Sequence, residues 1–250
     1  MGKLDKKVAI VTGGNTGIGR GISKAFHREG AIVVITYHSM ARKNQADSLM
    51  EEFREYGRES MAARCDVSKE DQVKNLVSQT EKKYGKVDIL VNNAGILKVC
   101  PFFELDKETW DDHLAVHLTA AFLCCKAVLP GMVQRKYGKI INTSSQLAII
   151  GRHDFVHYTA AKAGLIGFTR ALAREFGPFG INVNAMAVGL VDNNFDPMPE
   201  SKKVAFAENL PARRLGRPED IGETAVFLAS DDSDWYMGQT LGPNGGEVML

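Results

Sequence analysis

Tyr158 and Lys162, in the stretch YTAAK, stand four residues apart with only small side chains between them. On a helix this spacing puts both on one face, where a phenol and an ammonium can converge on one spot. A free phenol titrates near ~10, and a cation within a few Å favours the phenolate and lowers that value. The pair is a candidate for moving a proton at neutral pH, with the lysine as tuner. Taken alone, the same five residues also read as an exposed tyrosine and lysine that merely tolerate each other, so the rest of the chain has to decide.

A second constellation lies near the start. VAIVTGGNTGIGRGISKAF passes from an apolar run into a helical pattern through a glycine-rich turn. The spacing is not GxGxxG, and glycines serve any tight turn. The turn follows the first expected strand and opens a helix, where free backbone N–H groups and the helix dipole would hold a pyrophosphate. Gly13, Asn15, Thr16, Gly17, Ile18 and Gly19 are therefore candidate dinucleotide contacts, with Ile18 packing beneath. The second apolar run ends VITYHSMARKN. An NAD site would place an acidic residue near this end for the adenine-ribose hydroxyls. Here Tyr37, His38 and Ser39 occupy that place, and Arg42 and Lys43 follow. No carboxylate stands ready to repel a 2′-phosphate and two cations could bind it, which favours NADP over NAD. Solvated charges at a helix start are the plainer account, and use of both cofactors is compatible with it.

These residues need a scaffold, and the chain announces one. Short apolar runs at 7–12, 31–37, 59–65, 86–92, 138–144 and 180–187 alternate with longer amphipathic stretches at 17–29, 43–57, 69–84, 107–136 and 156–177. Runs rich in Val and Ile suit parallel strands buried on both faces. The alternation predicts an α/β protein with a Rossmann-type, doubly wound parallel sheet of about seven strands and helices on both faces. No linker, charge block or repeat divides residues 1–250, so a single domain is expected. The segment 188–217 breaks the rhythm. It reads as a substrate lid with a short helix in SKKVAFAENL, or as disorder.

Composition narrows the function. With 31 basic and 30 acidic residues the net charge is +1, which gives no support to a nucleic-acid or membrane-surface partner. Cys65, Cys100, Cys124 and Cys125 form no CxxC pair and no zinc-ligand spacing, so no metal site is expected and the thiols suit a reducing compartment. The N-terminus lacks a signal-peptide pattern, and Lys6 defeats the myristoylation motif that Gly2 invites. No uninterrupted run approaches the ~18 apolar residues of a membrane span. A cytoplasmic protein is the expectation.

In order and spacing, TGGNTGIG (12–19), CDV (65–67), NNAG (92–95), NTSSQ (142–146), YTAAK (158–162), PFGINVNAMAVG (178–189) and GQTLGPNGG (238–246) resemble the classical short-chain dehydrogenase/reductase family across essentially the whole chain. Bacterial glucose 1-dehydrogenases and 3-oxoacyl-carrier-protein reductases are similar members. The resemblance implies an NAD(P)-dependent oxidoreductase that moves a hydride between the nicotinamide and a carbonyl/alcohol pair on a small molecule. It implies Tyr158 as acid/base, Lys162 as its tuner and holder of the nicotinamide ribose, and Ser145 as the hydroxyl that orients the substrate oxygen. It places Asp66 and Val67 at the adenine, Asn92, Asn93, Ala94 and Gly95 beside the cofactor, and Gly189 and Val191 near the nicotinamide. It also implies a homotetramer, with 107–136 and 156–177 as interface candidates.

Three departures from the family pattern stand out. His117, in LAVHLTAAFL, replaces an asparagine that helps hold a water relay to the lysine. It reads either as a packing histidine or as an imidazole, titrating near ~6.5, that joins the proton path as a further catalytic residue. Val188 replaces a proline, which should loosen the turn against the nicotinamide. Asn193 replaces a threonine and could still donate to a carboxamide. The substrate wall is expected from 97–103, 147–157 and the lid. Arg152, His153, Asp154 and His157 make it polar, which suits a sugar, a polyol or a hydroxy or keto acid. Lys136 and Arg174 could instead serve a phosphopantetheine carrier, as in a 3-oxoacyl-carrier-protein ketoreductase. A reading from another class is an NAD(P)-sensing binding protein without turnover.

Overall fold

The computed structural model describes residues 2–193 and 198–249. Seven strands form one sheet: β1 (Val8–Val11), β2 (Ile32–Tyr37), β3 (Ser60–Arg64), β4 (Ile89–Asn92), β5 (Gly138–Ser145), β6 (Ile181–Val188) and β7 (Thr240–Leu241). Their order is β3-β2-β1-β4-β5-β6-β7, and every pairing is parallel. All positions of β1, β4, β5 and β6 are buried. This explains why β1 and β4 read as nearly unbroken apolar runs rather than alternating ones, whereas β5, equally buried, carries Lys139, Asn142, Thr143, Ser144 and Ser145 inside. The edge strand β3 is only partly covered.

Helices supply both covers. On one face, α1 (Gly17–Arg28), α2 (Lys43–Glu55) and α9 (Pro218–Ala229) bury Ile22, Phe26, Leu49, Phe53, Ile221 and Val226 in one apolar core. On the other, α3 (Glu70–Tyr84), α5 (Ala120–Arg135) and α7 (Val156–Phe176) contribute Val73, Leu76, Val128, Met132 and Ala173 to a second core. The chain runs outward from β1 to β3 and then returns to β4 on the other side of β1. That reversal opens a crevice at the carboxyl ends of β1 and β4, where ligands of such sheets bind.

The long helix expected over 107–136 has a fault in the middle. α4 (Lys107–Leu114), capped by the Asp106 carboxylate accepting from the Thr109 N–H at 2.7 Å, passes through one π turn at Ala115–Thr119 into α5. His117 sits inside that π turn. By length and composition Lys107–Arg135 is apolar enough to cross a membrane, although no single apolar run in it is that long. It packs instead on the sheet and on α3 and α7, with half of its most apolar window buried, as a core helix does.

A short turn of helix, α6 (Leu147–Ile150), follows β5. Beyond β6, the segment 188–217 carries α8 (Glu200–Asn209), where the helical spacing predicted one. Residues 194–197 of the expected lid lie outside the described residues. The segment's two ends are tied together by a bridge between Val191 and Gly216. There Asp192 N–H donates to Gly216 O at 2.8 Å and Gly216 N–H to Leu190 O at 3.0 Å.

Candidate active site

The crevice begins at the glycine-rich turn between β1 and α1. Gly13 has φ +63°, a left-handed conformation that glycine takes without strain, and its N–H donates to the Thr36 hydroxyl at 3.0 Å. A Cβ on Gly19 would lie 2.2 Å from Gly13 O and 2.6 Å from Asn93 Nδ2, so only glycine lets the turn close on itself. Ile18 packs against the core beneath. Thr16, the residue before α1, makes no side-chain cap bond, and the first turn holds no acidic residue. The helix start therefore keeps its N–H donors and positive dipole for an anion. A cleft of about 530 Å³ opens there, lined by Asn15, Thr16, Gly17, Arg20, Lys24 and Arg42 among others. Glycine cradle, open helix start and cationic lining together fit the diphosphate of a dinucleotide.

The adenine end is less uniform than the sequence suggested. Arg42 faces the cleft, but Lys43 is engaged by Asp47 one turn along, at 2.5 Å. Only one of the two expected cations is thus left for a 2′-phosphate. The Tyr37 ring belongs to the apolar core, whereas His38 is exposed and Ser39 partly so. His38 Nε2 lies 3.7 Å from the Asp66 carboxylate. Burial pushes that carboxyl up, but the Ser68 donors and His38 outweigh it and hold Asp66 below the ordinary range. Val67 is buried.

One hydroxyl joins the two strand ends of the crevice. Thr12 Oγ1 donates to Val91 O at 3.2 Å and accepts from Asn93 N–H at 2.9 Å and Ala94 N–H at 3.0 Å. Asn93 Nδ2 returns a bond to Thr12 O at 2.9 Å. Asn92 does not offer its amide to the cleft: it donates to Asn142 Oδ1 at 2.8 Å, and Asn142 donates to Thr169 on α7 at 2.8 Å. That residue locks β4, β5 and α7 together.

At the reactive end, Ser145 closes β5, and Tyr158 and Lys162 stand on the first two turns of α7. The two groups do share a face. Lys162 Nζ lies 5.6 Å from the centroid of the Tyr158 ring and donates to Thr143 O at 2.6 Å. The Lys162 side chain is only 4% exposed. The expected direction of tuning is not what this arrangement gives. Burial raises the Tyr158 phenol, with the Ser145 hydroxyl pulling it back in part, and burial pushes Lys162 down to about 7. A dry pocket disfavours both charged forms, and the ammonium sits over the ring and points to a carbonyl rather than to the phenol oxygen.

His117 is buried beside this pair, its ring edge-on to Tyr158 with centroids 5.2 Å apart. Its Nε2 lies 2.8 Å from Ile96 O and 3.3 Å from the Ile96 N–H, and its Nδ1 has no partner among the described residues. Gly95 makes room, since a Cβ there would meet His117 Cε1 at 2.6 Å. Burial first and the Lys162 charge second hold this imidazole well below its ordinary value. Two further histidines adjoin it. His113 Nδ1 bonds Thr109 O at 2.8 Å, His157 Nε2 bonds Lys98 O at 2.9 Å, and the two rings meet edge-to-face at 4.1 Å. His157, expected in the polar substrate wall, is instead wholly buried. His113 carried no signal in the sequence: Thr109 is one helical turn away, but the His157 ring meets it only when α4 docks on α7.

Beyond Tyr158 opens a second cleft of about 700 Å³, whose lining includes Ser145, Arg152, Phe155, Lys202, Phe206 and Glu247. His153 and Asp154 line it as expected, together with Leu97 and Val99 from the segment after β4. Glu247, paired with the Gln146 amide, and the α8 side chains Lys202 and Phe206 were not singled out by the sequence. The Val188–Gly189 turn is tied on both sides. Val188 O accepts from Gln146 N–H at 3.0 Å, and Gly189 N–H donates to Pro243 O at 3.2 Å. Val191 is buried at the start of the segment that follows β6, and Asn193 lies against Gly17 at the phosphate end. Lys136 and Arg174 line neither cleft.

The arrangement aims a phenol and a serine hydroxyl into one cleft, sets a buried amine behind the phenol, and adjoins a cradle for a diphosphate. Comparison with known proteins agrees. The pattern of a family described as enoyl-(acyl carrier protein) reductase matches residues 13–247. The 3-oxoacyl-[acyl-carrier-protein] reductase FabG of Staphylococcus epidermidis is 38% identical over 244 residues, covering 97% of this chain and 99% of that one. FabG of Thermotoga maritima is 35% identical, covering 99% and 100%. The crystal structure of a blue fluorescent protein from a metagenomic library in complex with NADPH superposes with a TM-score of 0.93 at 34% identity, over 99% of this chain and 100% of that one. These matches leave no support for a binding protein without turnover. The chain belongs to the short-chain dehydrogenase/reductase family and is an NAD(P)-dependent oxidoreductase acting on CH–OH and C=O groups of small molecules.

Proposed function

We propose that the enzyme interconverts the carbonyl and alcohol forms of a small polar substrate, with NADP favoured over NAD, and that Tyr158, Lys162 and Ser145 carry the reaction. The observation that bears most weight is the buried Lys162 ammonium group set over the ring of Tyr158, whose cleft Ser145 shares. A bound nicotinamide supplies or takes up the hydride. Ser145 Oγ donates a hydrogen bond to the substrate oxygen and fixes its position. In the reducing direction Tyr158 gives its phenolic proton to that oxygen, and a phenol raised by burial is fully protonated at neutral pH and ready to do so. Lys162, pushed down to about 7, can hand a proton to the phenolate that results. The His117 Nδ1, buried near the lysine charge, has no hydrogen-bond partner among the described residues. We assign it the place of the family's asparagine in holding the relay.

NADP is supported by the absence of a carboxylate at the end of β2 and by the cation of Arg42 in the cleft. The helices 107–136 and 156–177, on which Phe122 is 46% exposed, are proposed to pack chains into a homotetramer. Four free, buried cysteines suit a cytoplasmic setting. The names of the FabG relatives favour a second reading, a ketoreductase for 3-oxoacyl groups on a carrier. Turnover of a 3-oxoacyl thioester at a far higher kcat/KM than that of any free ketone would select it. Tyr158→Phe tests both readings: turnover should fall by about a hundredfold or more while NADPH binding stays within a few-fold, because the phenol moves a proton rather than anchoring the cofactor. Survival of ketone-dependent NADPH oxidation in that variant would remove Tyr158 from the role.

A further inference from the structure

The cleft beside Tyr158 carries two cations with no carboxylate partner among the described residues. Arg152 is held by two aromatic rings from different parts of the chain. Its guanidinium carbon is 5.4 Å from the ring centroid of Phe155, just before α7, and 5.3 Å from that of Phe206 on α8. Such stacking steadies the planar group without consuming any of its N–H donors. Phe155 in turn meets the Tyr158 ring, centroids 6.3 Å apart at 74°. The guanidinium therefore lies two ring contacts from the phenol, along the wall of one cleft. Lys202, four residues before Phe206 and one helical turn from it, lines the same cleft. The carboxylates of that cleft keep their charges but are directed elsewhere: Asp154 accepts from His153 at 2.8 Å and Glu247 from the Gln146 amide, and neither pairs with Arg152 or Lys202. A ligand entering here meets two positive charges whose hydrogen bonds are unspent.

We propose that the substrate carries a carboxylate remote from its reacting carbon, seated on Arg152 with Lys202 assisting, so that the reaction interconverts a keto acid and a hydroxy acid. This rests on the reading of Tyr158 as proton donor. In the reducing direction the carbonyl carbon receives the hydride, its oxygen receives the Tyr158 proton, and the carboxylate is unchanged. A planar fork matched to a planar anion explains why the charge is an arginine wedged between rings rather than a free surface lysine. Because Phe206 and Lys202 both belong to α8, the same contact makes the lid helix part of substrate recognition.

Binding and turnover separate this proposal from the one beneath it. In the first experiment, Tyr158→Phe protein saturated with NADPH is titrated calorimetrically with acetoacetate and levulinate and with the methyl ester of each. The acids are expected to bind at least about tenfold more tightly than their esters, as a charged group set against an unpaired cation should. Adding Arg152→Gln is expected to bring that ratio close to one, Arg152→Lys to restore part of it, and Lys202→Gln to lower it less. Equal binding of acids and esters, no measurable binding of any acid, or a ratio indifferent to Arg152→Gln overturns the proposal. In the second experiment the unaltered enzyme and Tyr158→Phe are assayed with NADPH and the same pairs. Preferred binding of acids together with reduction that survives Tyr158→Phe would leave the anion site standing and remove the role of Tyr158. Equal reduction of acids and esters would do the opposite.

Discussion

The Tyr158–Lys162 pair is tuned by dryness before it is tuned by charge. Both groups lie in a pocket that disfavours their ionised forms, so the phenol is raised and the amine lowered to about 7. An amine that is half protonated near neutrality can both give and take a proton, which a lysine in water cannot. His117 extends this logic: burial keeps its imidazole neutral, and its Nδ1 has no partner among the described residues. Replacing it by the family's residue, His117→Asn, should lower kcat by roughly threefold to tenfold and leave the Kd for NADPH within about twofold. Steady-state rates together with a fluorescence titration of the cofactor check this, and a faster enzyme would mark the imidazole as a hindrance. The pair itself was legible in YTAAK because a spacing of four fixes a shared face. The direction of the tuning was not, since it depends on burial that no local stretch records. The histidine neighbours of His117 were hidden for a related reason: His113 lies one turn before it, but His157 comes from forty residues further on and reaches them only when α4 and the π turn pack against α7.

The glycine turn that joins β1 to α1 shows how an element can be specified by what it leaves out. A methyl group on Gly19 would press against a backbone oxygen that cannot move without opening the turn. Gly19→Ala should therefore cost about 1–3 kcal/mol of stability, as overpacking does. It should also weaken NADPH binding by more than tenfold, because the displaced N–H groups are those aimed at the diphosphate. Urea unfolding midpoints and calorimetric titration would read the two effects separately, and wild-type cofactor affinity in Gly19→Ala would show that the turn does not hold the phosphates. The strands were legible where Val and Ile run together, and the crossover helices where apolar spacing is regular. β7 was not read as a strand, because two residues among glycines and a proline carry no period and gain their pairing only from β6. The π turn at Ala115–Thr119 was equally silent, since it adds one residue to a turn without altering the apolar pattern. The tether of Lys43 to Asp47 was a spacing of four that could have been read, and it removes a cation that the sequence had assigned to the cofactor.

For the whole molecule, the buried bases set how stability depends on pH. Lys162 titrates near 10.5 in the unfolded chain and near 7 in the fold, so between those values the unfolded chain binds a proton that the folded one does not. Stability then rises with pH across that window, by a few kcal/mol at most. His113 and His117, both lowered in the fold, act the same way below their ordinary value of 6.5, where unfolding takes up protons and acid destabilises. Above about 9 the raised thiols of Cys65, Cys124 and Cys125, joined above about 10 by the raised Tyr158, reverse the trend, because these groups ionise first in the unfolded chain. The melting temperature of the cofactor-free protein should therefore climb from about pH 5 to about pH 9. Lys162→Met should melt higher at neutral pH and lose most of the rise above pH 7, and an unchanged profile in that variant would mean that the amine is not held in a dry site. The parallel sheet and the helices on both of its faces followed from the alternation of runs and helices, whereas the order of the strands did not. The assembly of chains had no comparable signature, because an exposed aromatic such as Phe122 looks the same in sequence whether water or another chain meets it.

The bridge between Val191 and Gly216 has a meaning for how such an enzyme changes over evolutionary time. The chain leaves β6, makes its excursion over the substrate cleft and comes back to within one hydrogen-bonded rung of where it left. Whatever length or composition is spliced between those two points, the sheet on one side and α9 on the other keep their registry. Diversification of the substrate wall is thereby uncoupled from the machinery that transfers the hydride. A lineage can trade one cassette for another, acidic ligand for neutral, without refolding the domain that carries it.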